Sequence, residues 1–277
     1  MRERSPISED IQAELQSHTK RLSALVASSA ASTVAARASA FDAAGTELWN
    51  GTTNILRDAE EHQQDPRLRR DLPSHMTVLL RVFAFHMLDA AYRTSPKREK
   101  NTAQRTRSFK LALKSCRMCL EQNELELAIK ILERCADHVE AIEGASPLVR
   151  LTDASGNDKS QMRMKCLATE FYLLRIMHAW KSERLDLAAH FVKQLNSSNA
   201  CGSGGLAEKA ADLFYEIGNS RLKASDTALA IEWLERALTT LDACDVEQLS
   251  DDAADLRLSI SAKLGVNYNL HIHESCD

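Results

Sequence analysis

Glycine and proline are scarce in this chain, 9 and 5 of 277 residues. A sheet protein spends such residues on its many turns. Their shortage, beside 44% hydrophobic residues, points to long helices with brief punctuation. No window holds the ~18 consecutive apolar residues of a membrane-spanning helix, so none is expected. An excess of one charge is also lacking. The 35 Lys+Arg stand against 39 Asp+Glu for a formal −4, the balance of neither a nucleic-acid binder nor an acidic tail protein. The seven cysteines (Cys116, Cys119, Cys135, Cys166, Cys201, Cys244 and Cys276) form no framework. Their odd number, and a charged start MRERSPISEDIQAELQ without an apolar run, lead to the expectation of reduced thiols in cytosol or nucleus. The patterns GxxxxGKS/T, GxSxG, HExxH and GxGxxG do not occur, which removes the common phosphate-cradle, nucleophile-elbow and zincin signatures. Paired acids such as Asp251-Asp252 and Glu60-Glu61 fall at helix ends or on polar faces. No enzyme, catalytic residue, cofactor or metal is expected.

What the chain does contain is a repeat. Counting a 34-residue unit from Ala211 puts Phe214 at position 4, Ile217 and Gly218 at 7 and 8, Ala230 at 20, Leu234 at 24 and Ala237 at 27. This is the large-large-Gly, Ala, large, Ala spacing of a tetratricopeptide (TPR) repeat, two antiparallel helices joined by a tight turn. Gly218 and Ala230 lack bulk where the helices cross, and Phe214, Ile217 and Leu234 fill the space around them. Arg221 departs from the pattern at position 11, where an aromatic is more usual. Further copies register on Ala128 and Ala188. The turn strings NELELA (123–128), SERLDLA (182–188) and ASDTALA (224–230) line up, each with an acid or cap before an apolar helix start.

The expected organisation is all-α, a TPR-like solenoid of stacked helix hairpins. Residues 1–32 read as a helix (8–28) and a low-complexity joint. The repeat domain covers 33–268, with units at about 109–142, 169–202 and 211–244 and a partial repeat at 251–268. Residues 269–277 read as an unstructured tail. Before the first unit, helices are expected over 33–61, with Gly45 calling for a close neighbour, and over 74–93, apolar nearly all round. The loop 144–159 is too polar for a core element. The last helix, with Leu256, Leu258, Ile260, Leu264 and Gly265, lacks a second helix to pair with. This leads to the expectation of a shortened version of a longer solenoid.

Several strings go beyond TPRs at large. They are GTELWN (45–50), LEQNELELAIKILERCAD (120–137), EFYLLRI (170–176) with AWKSERLDLA (179–188), and EKAADLFYEIG (208–218) with AIEWLERAL (230–238). Together, across roughly residues 40 to 265, they resemble the helical-repeat domain of the meiosis-specific Zip-four / Spo-twenty-two family, known in animals as a testis-expressed TPR protein. The resemblance implies a nuclear, chromosome-associated scaffold without enzymatic activity. Such a scaffold joins the synapsis-initiation complex to recombination intermediates and promotes crossovers and synaptonemal complex assembly. Its partners are other proteins. A generic TPR adaptor unrelated to meiosis is the bland alternative.

Other features have structural readings beside functional ones. Cys116-Arg-Met-Cys119 is a CxxC on a predicted helix, at core positions 8 and 11 of its unit, and reads as packing. His271, His273 and Cys276 could hold a stray metal, but a solvated tail is the simpler reading. His86, on an apolar face, reads as a core histidine. The basic stretch 93–117, with Glu99 its only acid, could meet phosphates as a nucleic-acid-binding regulator or could meet an acidic partner. No aromatics interleave for base stacking, and a solvated face is the simpler reading. A partner groove is expected along helix A positions 2, 5, 9, 12 and 13. The first copy places Lys110, Leu113, Arg117 and Leu120 there, and the second Glu170, Leu173, Met177, Trp180 and Lys181. The third contributes Asp212, Tyr215, Asn219, Leu222 and Lys223. Such a wall mixes apolar bulk with cations, as a groove for an amphipathic helix or extended peptide does. Trp180 stands out, with ordinary packing against the neighbouring hairpin as its alternative.

Overall fold

Apolar residues at helical spacing, with almost nothing to break them, dictate what is seen. The computed structural model describes residues 34–63, 75–94, 102–143, 158–197, 204–245, 247 and 249–274, and within these every regular element is an α-helix. They are α1 (Val34–Gln63), α2 (His75–Thr94), α3 (Thr102–Glu121), α4 (Leu125–Glu143), α5 (Asp158–Lys181), α6 (Leu185–Ser197), α7 (Gly204–Lys223), α8 (Thr227–Asp242) and α9 (Asp251–Glu274). The expected helix at 8–28 and the loop 144–159, apart from the start of α5, lie outside the described residues. The helix α9 runs to Glu274, into the stretch read as an unstructured tail. The chain divides into two compact units, Met1–Glu140 and Ala141–Asp277.

The repeat register is written into the backbone three times. Asn123, Glu183 and Ser225 have φ of 59°, 58° and 61°, and each stands five residues before its alanine, Ala128, Ala188 or Ala230. A left-handed residue ends a helix by returning amides to its open carbonyls. Here Asn123 N–H donates to Leu120 O (3.1 Å) and Glu124 N–H to Cys119 O (2.7 Å). The same pair recurs as Glu183 to Trp180 (2.9 Å) with Arg184 to Ala179 (2.8 Å), and as Ser225 to Leu222 (3.0 Å) with Asp226 to Arg221 (3.0 Å). The residue after each left-handed one then opens the next helix, its carbonyl accepting from the alanine amide at 3.0 to 3.1 Å. At the third turn, Asp226 Oδ1 also accepts from Leu229 N–H at 3.3 Å. All three alanines are fully buried.

The left-handed turn makes a direct prediction. A left-handed conformation costs a non-glycine residue ~1–2 kcal/mol, and glycine gives back ~0.5–1 kcal/mol in entropy. Glu183→Gly is therefore expected to stabilise the protein by about 0.5 kcal/mol. Asn123→Gly should do less, because asparagine tolerates this region better. Urea midpoints of the two variants check the order.

In the first unit, α1 packs on α2, and α2 on α3. A Cβ at Gly45 of α1 would lie 2.8 Å from Leu88 Cγ and 3.1 Å from Met87 Cβ of α2, which is the close neighbour the sequence called for. The ring of buried His138 on α4 stacks on Phe109 of α3 (5.2 Å between centroids, 18° between planes) and leans on Tyr92 of α2 (5.6 Å). Its carbonyl accepts from Arg105 Nη2 at 2.8 Å. His86, by contrast, stands exposed rather than in the core. The cysteines Cys116, Cys119 and Cys135 are buried. Burial, with Glu124 nearby, pushes the Cys119 thiol up to about 12, and burial raises Cys135 as well. Protonated thiols of this kind pack as small apolar groups.

In the second unit, α5 pairs with α6 and α7 with α8, while α5 touches α7 and α9 lies on α8 and α7. Trp233 of α8 is 1% exposed and meets the Phe214 ring of α7 at 5.7 Å. The start of α9 is held by Glu208 of α7, whose carboxylate accepts from Ser250 N–H (2.6 Å) and Ser250 Oγ (2.9 Å). Arg257 of α9 pairs with Asp242 of α8 at 2.7 Å.

Candidate functional site

The expected groove residues do not fare alike. Leu113 and Leu120 are 1% and 0% exposed and Leu173 is 7% exposed. They lie in the interior, at positions expected to line the groove. In the first unit this leaves Lys110, exposed, and Arg117, half-buried. The basic stretch around them is less open than its sequence suggests. Arg93 pairs with Asp89 and Asp137 (2.8 Å each), and Arg105 is taken up by the His138 carbonyl. Arg107 reaches Asp42 (3.3 Å) and Thr46 Oγ1 (2.8 Å) of α1. Residues 95–101 of the stretch lie outside the described residues.

The second unit gathers more. On α5, Glu170, Met177, Trp180 and Lys181 are half-buried. On α7, Tyr215 and Asn219 are half-buried, while Asp212 and Lys223 are exposed. The two helices meet electrostatically. Burial and then Asp212 raise the pKa of the Glu216 carboxyl, and Lys181 from α5 pulls it back down. The third helix of the row contributes Lys263, whose Nζ donates to Asn219 Oδ1 and lies 5.1 Å from the Tyr215 ring centroid. Lys181 Nζ stands 5.8 Å from the ring of Trp180. The result is two aromatic rings, each beside a cation, with Asp212 and Lys181 both acting on Glu216.

Glu216 and Lys263 escaped the sequence reading. Glu216 sits at position 6 of its unit, outside the groove positions used. Lys263 belongs to the partial repeat, and only the packing of α9 on α7 brings it to Asn219. The placement of α9 by Glu208 could not be read from spacing either, since the two residues stand 42 apart in the chain.

No group of His, Cys, Asp and Glu among the described residues could hold a metal. No helix among them is long and apolar enough to cross a membrane. The side chains of His271, His273 and Cys276 lie outside the description.

Residues 178–274 match the family described as "Meiosis protein SPO22/ZIP4 like". No curated protein sequence matches the chain, and no solved structure does. The matched stretch holds Trp180, Lys181, Tyr215, Asn219 and Lys223. The other groove candidates, Lys110, Leu113, Arg117, Glu170, Leu173 and Met177, precede it.

Proposed function

With the stretch from His178 to Glu274 similar to SPO22/ZIP4-like meiosis proteins as premise, we propose that this chain is a non-enzymatic protein–protein scaffold in meiosis. In this reading its hairpins stack as a TPR-like solenoid and recruit synapsis-initiation and crossover proteins to nuclear chromosomes, where the synaptonemal complex assembles. The observation that carries it is the family match, which falls on the helices where aromatic and charged side chains gather. The three identical turns support repeated hairpins, and Lys263 ties the third helix of a row to the second. The groove of the second unit is the binding wall, with Trp180, Lys181, Tyr215 and Asn219 as its contacts. An amphipathic partner helix would set apolar groups against Trp180 and Tyr215 and charges against Lys181 and Glu216.

Few interface residues carry most of the binding energy, and aromatics are common among them. Trp180→Ala with Tyr215→Ala is expected to cut recovery of crossover and synaptonemal proteins from meiotic cells by about ten-fold or more, with the melting temperature held within a few degrees. Recovery equal to wild type would remove this groove from the interaction. A wild-type bait that recovers no such protein would remove the meiotic scaffold reading itself.

A further inference from the structure

The two most exposed large apolar side chains among the described residues stand on one helix. Leu258 is 69% and Val266 61% exposed, and both belong to α9. A lone exposed leucine is ordinary on a protein surface, but here the neighbours are open too. Ala254, Leu258, Ser261, Ala262 and Gly265 recur at steps of three and four and so share one face, and all five are exposed. Ile260 and Leu264, on the other side, are buried. Between 256 and 268 the sequence holds two charges, and both are engaged elsewhere. Arg257 pairs with Asp242 of α8, and Lys263 reaches Asn219 of α7. About three turns of α9 thus present an uncharged strip of small and aliphatic groups.

The strip carries a knob and a notch. A Cβ at Gly265 would meet nothing within 4 Å, whereas the notch at Gly218 is filled by Leu234 of α8, 2.9 Å from its would-be Cβ. Gly265 has no leucine over it, and Leu258 has no glycine beneath it. The two stand about two turns apart. Set a second α9 antiparallel about a two-fold axis between Ser261 and Ala262, and each Leu258 comes over the other copy's Gly265. Under such an axis one face is its own complement. Charge favours the same direction. Asp251, Asp252 and Asp255 are exposed at the start of α9. In a parallel pair they would meet their counterparts and repel, while antiparallel copies hold them at opposite ends and oppose their helix dipoles.

We propose that two copies of this chain pair through this face of α9, antiparallel, with Leu258 of each seated on Gly265 of the other. The 24 residues of α9 span ~36 Å, and a strip one helix wide buries less than the ~800 Å² per partner of a standard interface. The pair is therefore weak, with a Kd on the order of tens of micromolar. It goes beyond the groove around Trp180 and stands whichever partner that groove takes.

The test is sedimentation of the full chain under reducing agent, from about 1 to about 500 μM. The mass is expected to rise from one copy to two and stop there, as a closed two-fold requires. Leu258→Gly removes the knob and Gly265→Leu fills the notch, and each should weaken pairing by about ten-fold or more. Carried together they exchange knob and notch. The same axis again sets a leucine on a glycine, so the double variant should pair within about three-fold of wild type. Should Leu258→Gly melt early through lost helix propensity, Ala262→Asp puts two like charges at the axis and is expected to abolish pairing in its place. A wild-type chain that stays a monomer throughout overturns the proposal, as does a mass that climbs past two copies. Single variants that pair as wild type place the contact on another face and overturn it too. A double variant no better than either single one shows that Leu258 and Gly265 do not meet, and overturns the antiparallel arrangement.

Discussion

Replacing Arg93 with alanine is expected to cost the first unit about 3 kcal/mol, the lower end of what is lost when one partner of a buried ion pair is removed. Asp89 is 4% exposed, its Oδ2 is bonded to Arg93 Nε at 2.8 Å, and its Oδ1 has no hydrogen-bond partner among the described residues. Without the guanidinium, a carboxylate would remain in the interior with its main partner gone. Asp137, the other partner, keeps 49% of its side chain exposed. Asp137→Ala is accordingly expected to cost about 1 kcal/mol or less, as for a surface pair. A double variant, Arg93→Ala with Asp89→Asn, should recover a large part of the loss, because the stranded charge is gone. Urea unfolding of the four proteins measures this. Equal losses for Arg93→Ala and Asp137→Ala would show that Asp89 is not the group at stake.

Two helical glycines should respond with opposite signs. A Cβ at Gly218 would stand 2.9 Å from Leu234 Cγ and 3.3 Å from the Ala230 carbonyl oxygen. Leu234 and Ala230 are both fully buried and have no room to retreat. Gly218→Ala gains ~1 kcal/mol in helix propensity but loses more to overpacking, for a net loss of about 1 kcal/mol. Gly218→Leu forces a whole side chain into the crossing of α7 and α8 and should cost about 3 kcal/mol. Gly265 of α9 has nothing within 4 Å of its would-be Cβ and is exposed. Gly265→Ala is expected to stabilise by ~1 kcal/mol, since only propensity acts there. Thermal melts of the three variants against wild type decide it, and a stabilising Gly218→Ala would mean that α7 and α8 do not cross at that glycine.

The contrast shows how far spacing carries. A period of helical hairpins, small residues at 128, 188 and 230, and turn strings between them place the helices within a few residues. This works because each hairpin crossing tolerates only a small side chain and because these signals are local. The need for a neighbour at Gly45 was legible for the same reason. Spacing alone could not distinguish Gly218 from Gly265, since each follows a large apolar residue inside a helix and only the first has another helix against it. It also could not tell that Leu113 and Leu173 are buried while Lys110 stands exposed.

Charge was the least legible property. The stretch 93–117 reads as a basic ribbon, but Arg93, Arg105 and Arg107 each find a partner on another helix. Arg81, which carries no signal in an apolar stretch, emerges as a buried cation bonded to Thr52 and Thr53. The amino-acid order by itself determined the helices, their turns and the resemblance to a meiotic repeat family, because each depends on neighbours a few residues apart. Tertiary structure alone decided which glycine is crowded, which arginine is spent and which aromatic meets a cation. Those outcomes depend on groups brought together from distant parts of the chain, and an ion's free energy is set by what surrounds it in space.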